Sequence, residues 1–177
     1  SPDQDVFNDI WEGIRINNSA NVFDYTLVQY GGYSSSTNYV QLAAIDASPV
    51  ISNNIIRYSD TYGIYVYNGS PTISGNQITN NAGDGVNIYS GSPTISNNQF
   101  SDNVDGLVLG SGSNTVQGNT FNNSSSYHLT HTPSASISYT GNIFTGTGGG
   151  KIEMVGGSVS GDITWSNVQD FNWAYII

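Results

Sequence analysis

Ser48-Pro49-Val50-Ile51-Ser52-Asn53-Asn54 returns as Ser70-Pro71-Thr72-Ile73-Ser74-Gly75-Asn76 and again as Ser92-Pro93-Thr94-Ile95-Ser96-Asn97-Asn98. A looser copy follows as Ser113-Asn114-Thr115-Val116-Gln117-Gly118-Asn119, and a fainter one runs from Ser134-Ala135-Ser136-Ile137 to Asn142. The first four copies start at 48, 70, 92 and 113, so the period is 22, 22 and 21 residues. A fixed period of this length marks an array of stacked units, each too small to bury a core alone.

Within each unit, short runs alternate apolar and polar residues, and Gly, Asn, Asp or Ser separate them. In Gly85-Val86-Asn87-Ile88-Tyr89, Val86 and Ile88 point one way while Asn87 and Tyr89 point the other. Alternation of period two is a strand with one buried face, and the separators are turns. Apolar residues at helical three- and four-residue spacing are absent, as is the leucine scaffold of a leucine-rich repeat. The remaining solution is an all-β fold, a right-handed parallel β-helix of about 22 residues per coil, with coils ~4.8 Å apart.

Stacking then predicts columns of equivalent residues. One inward column is Ile51, Ile73, Ile95, Val116 and Ile137; a second is Leu27, Ile56, Ile78, Phe100, Phe121 and Phe144. A third is Ile14, Val40, Ile64, Val86, Leu107, Leu129 and Ile152. Asn54, Asn76, Asn98, Asn119 and Asn142 form a further column, an Asn ladder whose amides can satisfy one another. That ladder is structural and not a ligand site.

Composition narrows the partners. Net charge is −10, and the cations are only Arg15, Arg57 and Lys151. The electrostatic footprint of a nucleic-acid binder is missing, and no apolar run approaches a membrane span. There is no cysteine, hence no disulfide and no thiolate metal site. Twelve tyrosines and six phenylalanines set the chain apart from a disordered polar tract. Ser1-Pro2-Asp3 does not open a signal peptide, so the expectation is a processed chain or a slice of a longer one.

The unit Ser-Pro-Thr-Ile-Ser-x-Asn, followed by an Asp-Gly strand, resembles the parallel β-helix repeats of pectate-lyase-like proteins and of bacterial or archaeal surface proteins. The resemblance covers roughly residues 11 to 155. It implies the fold and leaves the activity open, because such coils carry lyases, hydrolases, epimerases, adhesins and inert stalks. Trp11-Glu12-Gly13-Ile14-Arg15-Ile16 and the stretch from Tyr25 to Gly32 are similar to early coils of large secreted modular proteins. In those, a segment like Ile163-Thr164-Trp165-Ser166 through Ile177 opens the next module. The expected organisation is therefore a β-helix over 1–157 and a C-terminal strand segment over 158–177, a junction to a further module or subunit.

In pectate-lyase-like proteins the sheet that would hold Ile64, Val86 and Leu107 carries the substrate cleft. Its outward column is expected to read Arg15, Gln41, Tyr65, Asn87, Val108, His128 and then Glu153 or Lys151. Tyr62, Asp84 and Asp105 precede it in register. Two carboxylates and a histidine on one face suit acid–base work on a glycosidic bond, making Asp84, Asp105 and His128 the catalytic candidates. Solvated Asp-Gly turns are the plainer reading of the aspartates. Hard oxygens on Asp84, Asp102 and Asp105 would suit Ca²⁺, the one cofactor considered. The cations and short acidic motifs of lyases and polygalacturonases are missing, which weighs against an enzyme.

Tyr58, Tyr62, Tyr65, Tyr67 and Tyr89 crowd two adjacent coils. A ring with a polar tip offers a flat apolar surface and a hydrogen bond, which suits a sugar; strand strengthening is the competing explanation. Tyr65, Tyr67, Asn87 and Tyr89 are the ligand-binding candidates. A Ser/Thr array on another face, Thr72, Thr94 and Thr115 between Val50 and Ser136, resembles ice-binding surfaces and gives a minor alternative.

The sequence reading is thus an extracellular or cell-surface structural or adhesive module. Its expected partners are a polysaccharide or cell-surface glycan, and copies of itself or parent-chain modules at both ends. Nucleic acid and a membrane span are not expected. The alternative is a catalytic fragment of a polysaccharide lyase, hydrolase or epimerase.

Overall fold

The computed structural model describes residues 11–32, 40–146 and 152–158. The segment 159–177, Lys151 and most of the Gly146 to Gly150 loop lie outside the described residues, and with them the expected C-terminal junction.

Among the described residues every regular element is a strand, and no helix occurs. The chain passes three faces in turn. The first described pass is β1 (Ile14–Ile16), β2 (Val22–Asp24) and β3 (Leu27–Gln29), and the next is β4 (Leu42–Ile45), β5 (Val50–Ser52) and β6 (Ile55–Arg57). Then come β7 (Ile64–Tyr67), β8 (Thr72–Ser74) and β9 (Gln77–Thr79), followed by β10 (Val86–Ser90), β11 (Thr94–Ser96) and β12 (Gln99–Ser101). In the next pass one long strand, β13 (Leu107–Gln117), turns the corner between the first two faces and β14 (Thr120–Asn122) takes the third. β15 (Leu129–His131), β16 (Ala135–Thr140) and β17 (Ile143–Thr145) complete another pass, and β18 (Ile152–Met154) begins one more.

All pairing is parallel and joins each strand to its copy one pass on. The first face runs β1-β4-β7-β10-β13-β15-β18, the second β2-β5-β8-β11-β13-β16, and the third β3-β6-β9-β12-β14-β17. The expected solenoid of about 22 residues per coil is therefore what forms: Ile51, Ile73, Ile95 and Val116 align, and each is fully buried.

The columns depart from expectation where the period slips. Between the first two described passes the offset is 28 residues rather than 22, since Ile14 pairs with Leu42 while Leu42 pairs with Ile64. Leu42, not Val40, therefore holds the third column. Likewise Val28, not Leu27, stacks on Ile56, and Leu27 is half exposed. Near the other end the offset on the second face is 23, so Tyr139 continues the isoleucine column and Ile137 aligns with Asn114. On the polar side of that face Ser138, not Ser136, aligns with Thr115.

The phenylalanine column is a true stack. Phe100 and Phe121 lie 4.7 Å apart at 3°, and Phe121 and Phe144 lie 5.0 Å apart at 6°. Identical rungs hold their rings parallel, and offset rings of this kind contribute ~1 kcal/mol per pair beyond area burial.

The Asn ladder runs at the corner between the second and third faces. Asn76 Oδ1 accepts from Asn54 N (2.9 Å) and Nδ2 (3.0 Å), while Asn76 Nδ2 donates to Ile51 O at 2.9 Å. The same bonds link Asn76 to Asn98, Asn98 to Asn119 and Asn119 to Asn142. The residue before each rung turns the chain with positive φ: Asn53 54°, Gly75 67°, Asn97 55°, Gly118 63°, Gly141 62°. Only Gly, or an Asn whose short amide bonds locally, adopts that region cheaply. That restriction explains why the copies vary there only between Asn and Gly.

A second ladder, which the sequence reading missed, lies at the end of the third face. Asn81 Oδ1 accepts from Ser59 N at 3.0 Å, and Asn103 Oδ1 accepts from Asn81 N and Nδ2 at 3.1 and 2.9 Å. Its signal was present in the pairs Asn80-Asn81 and Asp102-Asn103, each with positive φ at its first member.

Candidate functional site

The chemistry-bearing side chains gather on the first face and on the turn that feeds it. The outward column there reads Arg15, Ala43, Tyr65, Asn87, Val108, Thr130 and Glu153. Two expected members are wrong, Gln41 and His128, and for the same reason. Both fall in the position occupied by Gly63, Gly85 and Gly106, at the bend just before the strand. There a Cβ on Gly85 would meet Gly106 O at 2.7 Å, and one on Gly106 would meet Phe121 at 2.7 Å. Side chains at this bend turn inward, not outward. Gln41 is fully buried; its Oε1 accepts Gly31 N at 3.4 Å, and its Nε2 donates to Val28 O and Arg57 O.

His128 is 1% exposed, its ring centroid 5.7 Å from Phe144 and 6.4 Å from Phe121, with Nδ1 3.0 Å from Ser124 Oγ. Burial lowers its pKa. It is a core histidine, and it does not share a face with the aspartates.

Tyr62, Asp84, Asp105 and Tyr127 do stand in register, linked by the backbone bonds Gly63 N to Asp84 O, Gly85 N to Asp105 O and Gly106 N to Tyr127 O. Both oxygens of Asp105 are taken, since Oδ1 accepts Tyr127 N at 3.0 Å and Oδ2 accepts Thr130 Oγ1 at 2.7 Å. It is nearly buried and fastens two coils together. Asp84 accepts Asn87 Nδ2 at 2.7 Å and, in the same manner, the backbone N–H of Asp105. Burial pushes its pKa up to about 6, the nearby Asp105 charge adds to the rise, and the two hydrogen bonds oppose it.

The expected pairing of Asp84 and Asp105 thus holds, but as a ladder of carboxyls on backbone amides. Asp102 belongs to a different corner, exposed, with φ 56°. No group of three His, Asp or Glu that could hold a metal ion assembles among the described residues, so the calcium set is not brought together.

The tyrosines do assemble. Tyr62, Tyr65, Tyr67 and Tyr89, with Arg15, Ile45 and Asn87, line a groove of about 580 Å³. All four ligand-binding candidates, Tyr65, Tyr67, Asn87 and Tyr89, are in its wall. Tyr67 and Tyr89 stack at 5.4 Å and Tyr62 and Tyr65 at 6.1 Å. In the same column Ala43 stands between Arg15 and Tyr65. Burial, and then neighbouring phenols or Asp84, raise the pKa of Tyr65 and Tyr62, so both remain O–H donors at neutral pH. Tyr58 is elsewhere, stacked on Tyr30 at 5.3 Å with the Arg57 guanidinium 5.1 Å from its ring.

Chemically the groove offers aromatic surface, phenol donors, one amide and one guanidinium. Among the described residues that line it there is no carboxylate. Among the described residues no helix is long and apolar enough to cross a membrane. Neither curated proteins nor solved structures give a significant match. The family described as right handed beta helix region matches residues 7–169, nearly the whole chain and every coil described above. The chain belongs to the right-handed β-helix family.

Proposed function

We propose that this β-helix is a non-catalytic extracellular module that binds a glycan along its tyrosine groove. The observation that carries the reading is the groove itself, with Tyr62, Tyr65, Tyr67 and Tyr89 around Asn87. A pyranose has an apolar face and a rim of hydroxyls. Aromatic rings with polar tips meet both needs, and the cost of ordering them is small because stacking already fixes them. Rungs ~4.8 Å apart also approximate the advance of a sugar residue in an extended chain.

The test is a glycan-array screen followed by titration of the hits against Tyr67→Ala and Tyr89→Ala. Tyr67 is 42% exposed and Tyr89 61%, so both variants keep the fold. Loss of at least about tenfold in affinity, or ~1.4 kcal/mol, supports the groove. Unchanged binding in both variants would place the glycan elsewhere.

A catalytic reading rests on Asp84 alone, whose carboxyl near 6 touches the groove through Asn87. Incubating the same hits with enzyme-scale amounts of protein decides it. Cleavage that Asp84→Asn abolishes would replace the binding reading.

A further inference from the structure

Asp84 does not open onto the groove directly; it reaches it through Asn87, one of the groove's wall residues. An amide has two unlike edges, a carbonyl that accepts and an NH₂ that donates. Whichever edge is turned to Asp84, the other is presented to a ligand. Building on the glycan-groove reading, we infer that Asp84 is a positioning residue that sets the polarity of the groove: its carboxylate captures Asn87 Nδ2 and leaves Oδ1 as the acceptor a ligand hydroxyl meets.

The geometry supports this at each step. The Asn87 Nδ2 to Asp84 Oδ2 distance is 2.7 Å, in the range of a charge-assisted bond. The carboxyl is held in place from the neighbouring coil by the backbone N–H of Asp105. Asp105 repeats the arrangement one rung on, with Tyr127 N on one oxygen and Thr130 Oγ1 on the other. The groups facing Asp84 are thus Asp105 from the turn before β13, Tyr62 from the turn before β7, and Asn87 on its own strand. No cation pairs with it among the groups that shift its titration.

A chemical consequence follows. With Asp105 N–H occupying one oxygen, a proton arriving on Asp84 settles on the oxygen that faces Asn87. Two donors then confront each other, and the amide relieves the clash by turning over, which sends Nδ2 into the groove. Asp84 titrates near 6, so the groove presents an acceptor at neutral pH and a donor in mild acid. A neutral side chain at 84 carrying an N–H, as in Asp84→Asn, holds the turned state at every pH.

The experiment uses the ligand-free protein, so it is independent of whether a glycan binds. Side-chain amide resonances of Asn87 and the Asp84 carboxyl carbon are followed by NMR from pH 4.5 to 8. In the wild type the two Asn87 amide protons are split at pH 8, the bonded one downfield, and the pattern changes with the same midpoint as the Asp84 carboxyl carbon. Asp84→Asn shows the acid pattern throughout. An Asn87 amide that is flat with pH in the wild type overturns the inference without any variant being needed. So does an Asp84→Asn spectrum that matches the wild type at pH 8, or a titration that Asp105→Asn removes and Asp84→Asn does not. Failure of the glycan screen with a titrating Asn87 amide would remove the binding reading and leave this device standing.

Discussion

Asp84 holds a carboxyl that burial raises from 3.8 to about 6, so its sign in stability is the reverse of a salt-bridged acid. The native state binds the proton more tightly than the unfolded chain, hence the charged form is disfavoured and the folded protein weakens progressively as pH rises from 3.8 to about 6, beyond which the cost is constant. At 1.36 kcal/mol per pKa unit the cost at neutral pH is at most about 3 kcal/mol. Asp84→Asn, which cannot ionise, is expected to be more stable than the wild type by up to that amount above pH 6. The gap should close as pH falls below the unfolded value of 3.8. Chemical denaturation of both proteins across pH measures it, and a constant gap would contradict the assignment. The difference between the two proteins is the right quantity, because His128 and His131 pull the other way. Burial lowers both their pKa values, so each costs stability as pH drops through the unfolded histidine range.

At the scale of the element, the Asn ladder distributes its bonds unequally. Asn98 sits mid-stack and 1% exposed, accepting twice from Asn76 and donating to Ile73 O and Asn119 Oδ1. Asn142 closes the ladder, is 9% exposed, and accepts twice from Asn119. Removing a buried partner leaves each abandoned group short of about 1–3 kcal/mol. Asn98→Ala is therefore expected to lose about 3–5 kcal/mol, and Asn142→Ala less, because its side chain stands at the more exposed end of the stack and its loss breaks fewer bonds. Thermal or urea unfolding of the two variants gives the comparison, and equal losses would mean that exposure is not what grades the ladder.

What the sequence disclosed follows from the same repetition. Ile51, Ile73 and Ile95, the asparagines and the later phenylalanines are copies in near-identical surroundings, so their register could be read directly. The groove's tyrosines could be read too, since they lie in the two coils of strictest period. Legibility ended where copies stop resembling one another. The 28-residue first offset displaced Val28 and Leu42, and the 23-residue late one displaced Tyr139. Gln41 and His128 occupy a glycine position, and glycines carry no side chain from which to learn a direction. The Asp-Gly pairs read as solvated turns. Gly85 and Gly106 instead have ordinary φ and are small because the next rung's carbonyl is too close.

Over the whole molecule, the described coils begin and end in strands of parallel sheets. β1, β2 and β3 bound their sheets on one side and have no described neighbour beyond them. A parallel edge is a template for further strands wherever it is left uncovered, and end-to-end stacking of copies, one of the expected partnerships, would use it. The chain's charge of −10 opposes this at low ionic strength. The expected result is a mass that rises with concentration and more steeply with added salt, read by static light scattering. A constant monomer mass at all salt concentrations would remove self-stacking for this chain.

The 22-residue spacing of the central coils also makes length a counted quantity. Excising residues 72–93 would join Pro71 to Thr94, which already bonds Pro71 O through its N–H at 3.0 Å. The asparagine at 54 would then meet the one at 98, and the rod would shorten by one rung of ~4.8 Å. A 21-residue coil already stands in the chain, where Ile95 meets Val116 and Phe100 meets Phe121 with the same faces inward, so the odd residue is taken up at a corner and not in the strands. Such a molecule behaves as a ruler with a single graduation: it can be lengthened or trimmed by whole divisions, and the corners absorb the small change left over.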